Sequence, residues 1–352
     1  MRALVLSGGE GSRLRPLTAT NAKQLIPVAG TPILFQALEA IAEAGIAEVG
    51  IVTGSSGDEV RAAVGDGSRW GVHVTFIPQE APLGIAHAVM TAQSFLADEP
   101  FLLYLGDNVL LGGVARFVRE FERSDADAHI LLAHVKEPQH FGVAVLDGER
   151  VVRLVEKPPQ PPSDLALVGV YLFRRSILDA CHTLQPSGRG EYEITEAIQW
   201  LLDEGREVRA EMVSGYWKDT GRPEDLLEAN RMMLASLEPS VEGEVDAATT
   251  IEGAVVVREG ASVTAGVLRG PLVIGEGSVI VRSTLGPDVS VGPGCRIEGS
   301  AVADSIVMEA CTITGVLGLT GSVLGRRVQV RHSGGGGAHR LIVGDQSRVE
   351  VD

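Results

Sequence analysis

The chain has 352 residues, 45% of them hydrophobic, enough to bury two cores, so two domains are expected. Its formal net charge of −16 excludes a broad nucleic-acid surface but not a small phosphate site, where local cations set the field. No run of eighteen apolar residues suggests a membrane span, and the chain opens directly in strand pattern, so no export signal and a cytoplasmic location are expected. Cys181, Cys295 and Cys311 are odd in number and far apart, and read as buried thiols.

Arg2–Leu6 reads as a buried parallel strand feeding the most informative stretch, Leu6-Ser7-Gly8-Gly9-Glu10-Gly11-Ser12-Arg13-Leu14-Arg15-Pro16-Leu17-Thr18, followed by Lys23-Gln24-Leu25-Ile26-Pro27-Val28. Glycines let backbone N–H groups cradle an anion. Arg13, Arg15 and Lys23 add charge-assisted bonds to phosphate oxygens. The dinucleotide fingerprint is excluded, because Gly9 and Gly11 require a third glycine where Leu14 stands. The Walker loop is excluded too, since Ser12-Arg13 follows Gly11. A nucleoside triphosphate is the natural ligand.

Strand-like runs then alternate with helical patterns: Val49–Thr53, Val72–Ile77, Phe101–Leu105, His129–His134 and Leu167–Phe173, with helices from Ile33 to near Gly45 and from Ile85 to Leu96. This implies an α/β domain with a mostly parallel sheet and ligands at the carboxyl ends of its strands. Asp107 follows the strand Phe101–Leu105, and Asp219 lies in Tyr216-Trp217-Lys218-Asp219 after the run Val208–Val213. Alone, each is as readily a turn former. Together with the opening loop they suit Mg²⁺, which takes one or two carboxylates and completes its shell with water and phosphate. Glu156-Lys157-Pro158, at the end of the strand Val151–Val155, and Arg189, before a helix, offer groups for a sugar phosphate. The helix Pro223–Leu237 closes this domain.

No lysine follows Lys218 and no Phe, Tyr or Trp follows Trp217. The last third instead has a six-residue apolar rhythm: Val245, Ile251, Val257 and Val263; then Val273, Val279, Leu285, Val291 and Ile297; then Val307, Ile313 and Leu319. This predicts a parallel β-helix with three flat faces and these residues pointing inward. Gly270, Pro271 and the tract Gly334–Gly337 are expected as protruding loops, and Leu341–Val351 as a terminal coil or cap.

These motifs resemble sugar-1-phosphate nucleotidyltransferases, most closely the longer glucose-1-phosphate thymidylyltransferases. The resemblance implies a Rossmann-like catalytic domain, residues 1–238, and a left-handed β-helix of hexapeptide repeats, residues 239–352. It also implies dTTP and glucose 1-phosphate as substrates, Mg²⁺ as cofactor and a homo-oligomer. Carried over residue by residue, it places the pyrimidine on Leu6, Gly8, Gln79 and Gly84, with Gly9, Gly11 and Gln24 completing the nucleotide site. Gln24 after Lys23 is the thymidylyl pattern. Arg13 and Lys23 would hold the triphosphate and leaving pyrophosphate, and Asp107 and Asp219 the metal. Gly142, Glu156, Lys157, Tyr171, Arg189 and Trp217 would surround the sugar phosphate. Three other readings stay open: uridylyl transfer, a second acyltransferase activity in the β-helix using His332 or His339, and a non-catalytic sensing subunit.

Overall fold

The computed structural model describes residues 1–332 and 337–351. They pack as two compact units, Met1–Glu10 with Leu34–Asp219 and Gly11–Ile33 with Thr220–Asp352.

The first unit is built on a nine-stranded sheet. Its parallel block runs His73–Pro78, Glu48–Thr53, Arg2–Ser7, Phe101–Leu105, with Ser7 beside Thr53, Thr53 beside Pro78 and Leu6 beside Leu105. That register brings Gly8, Gln79 and Gly106-Asp107 to one carboxyl edge, where open α/β sheets bind ligands. Leu165–Phe173 turns the sheet antiparallel, pairing with Phe101–Leu105 and with Ala128–His134; the latter pairs in parallel with Val208–Met212. Gly142–Asp147 and Arg150–Glu156 form an antiparallel ribbon at the far side. Phe101, Phe173 and Leu4 are fully buried beneath the helices. Most expected strands fall within a residue or two of the observed ones. The expected helix Ile85–Leu96 divides into Ile85–Thr91 and Gln93–Leu96. Thr91 Oγ1 donates to the His87 carbonyl at 2.9 Å, a local bond that competes with the helical ladder.

His129 is buried in this sheet, its ring 4.5 Å from that of Phe117. Burial, opposed by Glu120 and reinforced by Arg209, pulls its pKa from 6.5 down to about 4. The unfolded chain therefore binds a proton there at a pH where the folded chain does not. Stability is expected to fall as pH drops from about 6.5 towards 4 and to level off below. Denaturant titrations across that window should show the slope, and His129→Gln should flatten it; an identical slope in the variant would remove His129 from the account.

In the second unit, three parallel sheets of seven, seven and five strands stack as in a β-helix. Successive coils are in register, Val256 beside Val273 beside Ser290, a spacing of 17 residues where three hexads would give 18. One residue is dropped at a corner, which is why the apolar rhythm changes phase along the chain. Val257, Val263, Leu285, Val291, Ile297, Val307, Ile313 and Leu319 fill the interior as expected. Others do not. Ile251, on the first strand of its sheet, is 42% exposed, and Ile280 replaces Val279 inside. Val273 packs with Ala29, Leu234 and Val256 in a separate cluster. Gly270-Pro271 does not protrude: it is a coil corner, with Gly270 N–H donating to the Glu252 carbonyl at 2.7 Å. Cys295 and Cys311 are buried and free in successive coils, and their thiols donate to the Met308 and Gly325 carbonyls. Leu341–Val351 supplies the last coil, whereas Gly334–Gly336 lie outside the described residues. The helix over 223–237 ends at Leu234, and its N-terminus is closed by the Arg222 N–H donating to Asp225 at 2.9 Å.

Candidate active site

Three groups of side chains assemble in the first unit. The first lies at the ends of the parallel strands. Gly8 faces Gln79, whose Oε1 is 3.3 Å from where a Cβ on Gly8 would stand. The Gln79 amide is fixed from behind by His87, Nε2 to Nδ1 at 2.8 Å, and the His87 ring stacks on Tyr192. Gly84 begins the helix Ile85–Thr91 at φ +102°, a conformation that L side chains rarely adopt. A Cβ there would meet the Tyr192 carbonyl oxygen at 2.6 Å. That close approach lets Tyr192 N–H donate to the Leu83 carbonyl (2.7 Å) and Ala86 N–H to the Tyr192 carbonyl (3.1 Å). Leu6, Gly8, Gln79 and Gly84 are thus brought together, while Gly9 is exposed. Ser7 Oγ is buried with no hydrogen-bond partner among the described residues.

The second group contains the two aspartates. Trp217–Asp219 pairs antiparallel with Asn108–Leu110, placing Asp219 opposite Asn108 and so beside Asp107. Asn108 organises this corner. Its Nδ2 donates to Asp107 Oδ1 (3.0 Å), and its Oδ1 accepts from Trp217 Nε1 (2.6 Å) and Gly169 N–H (3.3 Å). Nothing local in the sequence signals Asn108 as a residue that ties three segments together. The register sets the backbone of Asp219 next to Asp107-Asn108, and carboxylates are the hard oxygen donors that Mg²⁺ takes, one or two from the protein. Among the described residues no three acids, histidines or cysteines form a metal cage.

The third group surrounds Glu156. Its Oε2 accepts from Thr195 Oγ1 at 2.6 Å, and its Oε1 lies 3.4 Å from Lys157 Nζ and 3.3 Å from Arg189. Gly142 is required here, because a Cβ would stand 2.6 Å from Thr195 Oγ1. Lys157 has φ +38°, unusual for a side-chain-bearing residue, and its N–H donates to the Phe141 carbonyl at 3.0 Å. The Phe141 ring meets Trp217 edge-on at 5.6 Å, which joins this group to the aspartates. Arg189 also bridges Glu191 and Glu193; its burial favours the neutral form, but these acids and Glu156 outweigh it and hold the guanidinium charged. Its charge is largely compensated, so a phosphate must displace a carboxylate to use it. Tyr171 is buried in the core, stacked on Phe173 at 5.8 Å, its phenol pushed up by burial and by Glu156. Thr195, Glu193 and His87 were missed by the sequence reading, since their roles arise from tertiary contact.

Gly11, Arg13, Lys23 and Gln24 belong to the second unit. Gly11 opens a 3₁₀ turn, Ser12–Leu14, at φ +61°, and packs against Lys23 Cβ. Arg13 is exposed, its guanidinium against Gly221. Lys23 and Gln24 are buried, and Gln24 Oε1 has no hydrogen-bond partner among the described residues. Buried unpartnered acceptors are costly unless a ligand satisfies them.

Comparison with known proteins adds the family. The nucleotidyl transferase family matches residues 2–236. A glucose-1-phosphate thymidylyltransferase of Streptomyces griseus is 51% identical over 353 residues, covering 100% of this chain and 99% of the relative. A UTP–glucose-1-phosphate uridylyltransferase of Haloferax volcanii is 38% identical over 236 residues, 66% of this chain and 96% of the relative. A solved structure from Bacillus anthracis, described as a glucose-1-phosphate thymidylyltransferase, aligns with TM-score 0.62 and 33% identity over 65% of this chain and 94% of that one. By these matches the chain belongs to the nucleotidyl transferase family.

Proposed function

We propose that the chain is a glucose-1-phosphate thymidylyltransferase, converting dTTP and glucose 1-phosphate to dTDP-glucose and pyrophosphate. The end-to-end similarity to the S. griseus enzyme carries this reading. A phosphate oxygen of glucose 1-phosphate attacks the α-phosphorus of dTTP in line. The new P–O bond forms as the bond to the β-phosphate breaks, and pyrophosphate leaves with the electron pair. The nucleophile is already anionic, so no general base and no Ser or Cys nucleophile is needed. The obstacle is repulsion between two polyanions, and catalysis is positioning plus electrostatics.

In this reading Gln79, held by His87, pairs with the base edge beside Leu6, Gly8 and Gly84. Lys157 and Arg189 hold the sugar phosphate, and Glu156 accepts from sugar hydroxyls next to Gly142 and Trp217. Arg13 and Lys23 stabilise the charge growing on the leaving pyrophosphate. Asp107 and Asp219 would hold Mg²⁺, which when bound supplies positive charge at the phosphates. Residues 1–238 would be the catalytic domain and 239–352 the β-helix.

The uridylyl reading is favoured by the Haloferax relative, but that similarity stops after two thirds of this chain. A matrix of dTTP and UTP against sugar 1-phosphates, read by pyrophosphate release, tests both. The highest kcat/KM is expected for dTTP with glucose 1-phosphate. Equal or better use of UTP would overturn the base assignment, and no release from any pair would restore the sensing subunit. Lys157→Ala is expected to raise KM for glucose 1-phosphate by ~10-fold or more, the loss of one charge-assisted phosphate bond, with little change in KM for dTTP. An unchanged sugar-phosphate KM would remove Lys157 from that role.

A further inference from the structure

The segment Gly11–Ile33 carries Arg13 and Lys23 yet has almost no regular structure of its own. It consists of three 3₁₀ turns, Ser12–Leu14, Leu17–Ala19 and Lys23–Leu25, and a two-residue ribbon, Pro27–Val28 with Thr31–Pro32. Inside it, Thr18 Oγ1 donates to the Gly11 carbonyl (2.7 Å) and Asn21 Nδ2 to the Leu17 carbonyl (3.0 Å). These bonds and the backbone bonds of the turns are local, so the path of the segment depends also on what holds it from outside.

Two outside holds lie on the same compact unit. At the far end, Ala29 N–H donates to the buried Asn230 Oδ1 at 2.9 Å, and Ala29 packs with Leu234, Val256 and Val273. Between Arg13 and Lys23 the hold comes from the other end of the sequence. Asp345 follows the strand Ile342–Val343, which pairs with Val323–Leu324. Its Oδ2 accepts from Thr20 Oγ1 at 3.0 Å, and its Oδ1 from Asn21 Nδ2 at 2.9 Å and from Arg326 N–H at 2.7 Å. Gly344 lets the coil come close, because a Cβ there would stand 2.9 Å from the Pro16 carbonyl oxygen. The carboxylate is thus fixed by the preceding coil and presented to the loop.

We propose that the last coil of the β-helix is a positioning element for the phosphate-binding loop, and that Asp345 is its positioning residue. This rests on the reading that Arg13 and Lys23 act on the triphosphate. A small displacement of such groups costs rate steeply, ~100-fold for about 1 Å. The β-helix then contributes to nucleotidyl transfer without touching substrate.

The test is kinetic, on the full chain. Asp345→Ala should lower kcat in both directions by ~10-fold or more, with a smaller rise in KM for dTTP and for pyrophosphate and KM for glucose 1-phosphate within about twofold. Asp345→Asn should restore most of the loss: its oxygen still accepts from Asn21 and Arg326, and its amide can donate to Thr20 Oγ1. If Asp345→Ala fails to fold, Thr20→Val removes one bond from the loop side alone and should lower kcat several-fold with a smaller rise in KM for dTTP. Unchanged kcat together with unchanged nucleotide and pyrophosphate KM values would overturn the proposal, as would equal rises in KM for both substrates with no rescue by asparagine. Its failure is separable from that of the function. A wild type that releases no pyrophosphate overturns the thymidylyltransferase reading. An active wild type disabled by Arg13→Ala but indifferent to Asp345→Ala overturns this proposal alone.

Discussion

Asp107→Asn is expected to lower kcat by ~1,000-fold while leaving the fold intact, the scale of loss when a charge-stabilising group is removed from a closed site. The substitution changes one atom, and the corner keeps hydrogen bonds that need no charge on residue 107. Asn108 Nδ2 donates to Asp107 Oδ1, and an amide oxygen can accept the same bond. The ladder is held independently by Trp217 Nε1 and Gly169 N–H on Asn108 Oδ1, and by Tyr104 Oη donating to the Asn108 carbonyl at 3.4 Å. What goes is one of the two negative charges proposed to hold the divalent cation. Asp219→Asn should behave alike, and the double variant should cost little more than either, because the pair acts as a unit. Steady-state kinetics with a Mg²⁺ titration, alongside a thermal unfolding midpoint, checks this. The Mg²⁺ needed for residual activity should rise and the midpoint should hold. Normal turnover with unchanged Mg²⁺ dependence would sink the metal assignment.

How much of this was legible in the sequence depended on whether the cause was local. Phe101–Leu105 and the glycine-rich turn after Arg2–Leu6 were plain, because a buried strand and a turn write themselves into consecutive residues. The direction of Leu165–Phe173 was not, since a strand buried on both faces reads the same whether its neighbour is parallel or antiparallel. The β-helix was legible as a repeat, but its coils run 16, 17 or 19 residues and never three full hexads, so a strict hexad assigns Val279 and Ile251 to an interior they do not enter. Candidate residues with a charge in a motif were legible. The tertiary partners were not: Asn108 on Asp107, Thr195 on Glu156, His87 on Gln79, and Asp345 on Thr20 and Asn21. Asp345 lies 324 positions from Asn21, and only folding makes them neighbours.

Arg13→Ala should lower kcat by ~100- to 1,000-fold, with a smaller rise in KM for dTTP, because the charge it answers is larger in the transition state than in the bound triphosphate. Arg13 sits in the exposed turn Ser12–Leu14, which Gly11 opens at φ +61°. Its guanidinium lies over Gly221, with Nη2 3.3 Å and Cζ 3.5 Å from where a Cβ would stand. Glycine at 221 therefore sets how the planar fork rests. Two parallel N–H bonds to a departing pyrophosphate need that plane, which an ammonium lacks, so Arg13→Lys should not rescue. Gly221→Ala should reproduce the defect weakly: its new methyl forces the guanidinium to give by a few tenths of an ångström, which should cost kcat several-fold with little change in the unfolding midpoint. Forward kcat and pyrophosphorolysis measured on the three variants decide the matter. A lysine variant with full kcat would reduce Arg13 to a simple positive charge. An alanine variant with full kcat would leave the loop as a surface that binds the triphosphate without assisting its cleavage.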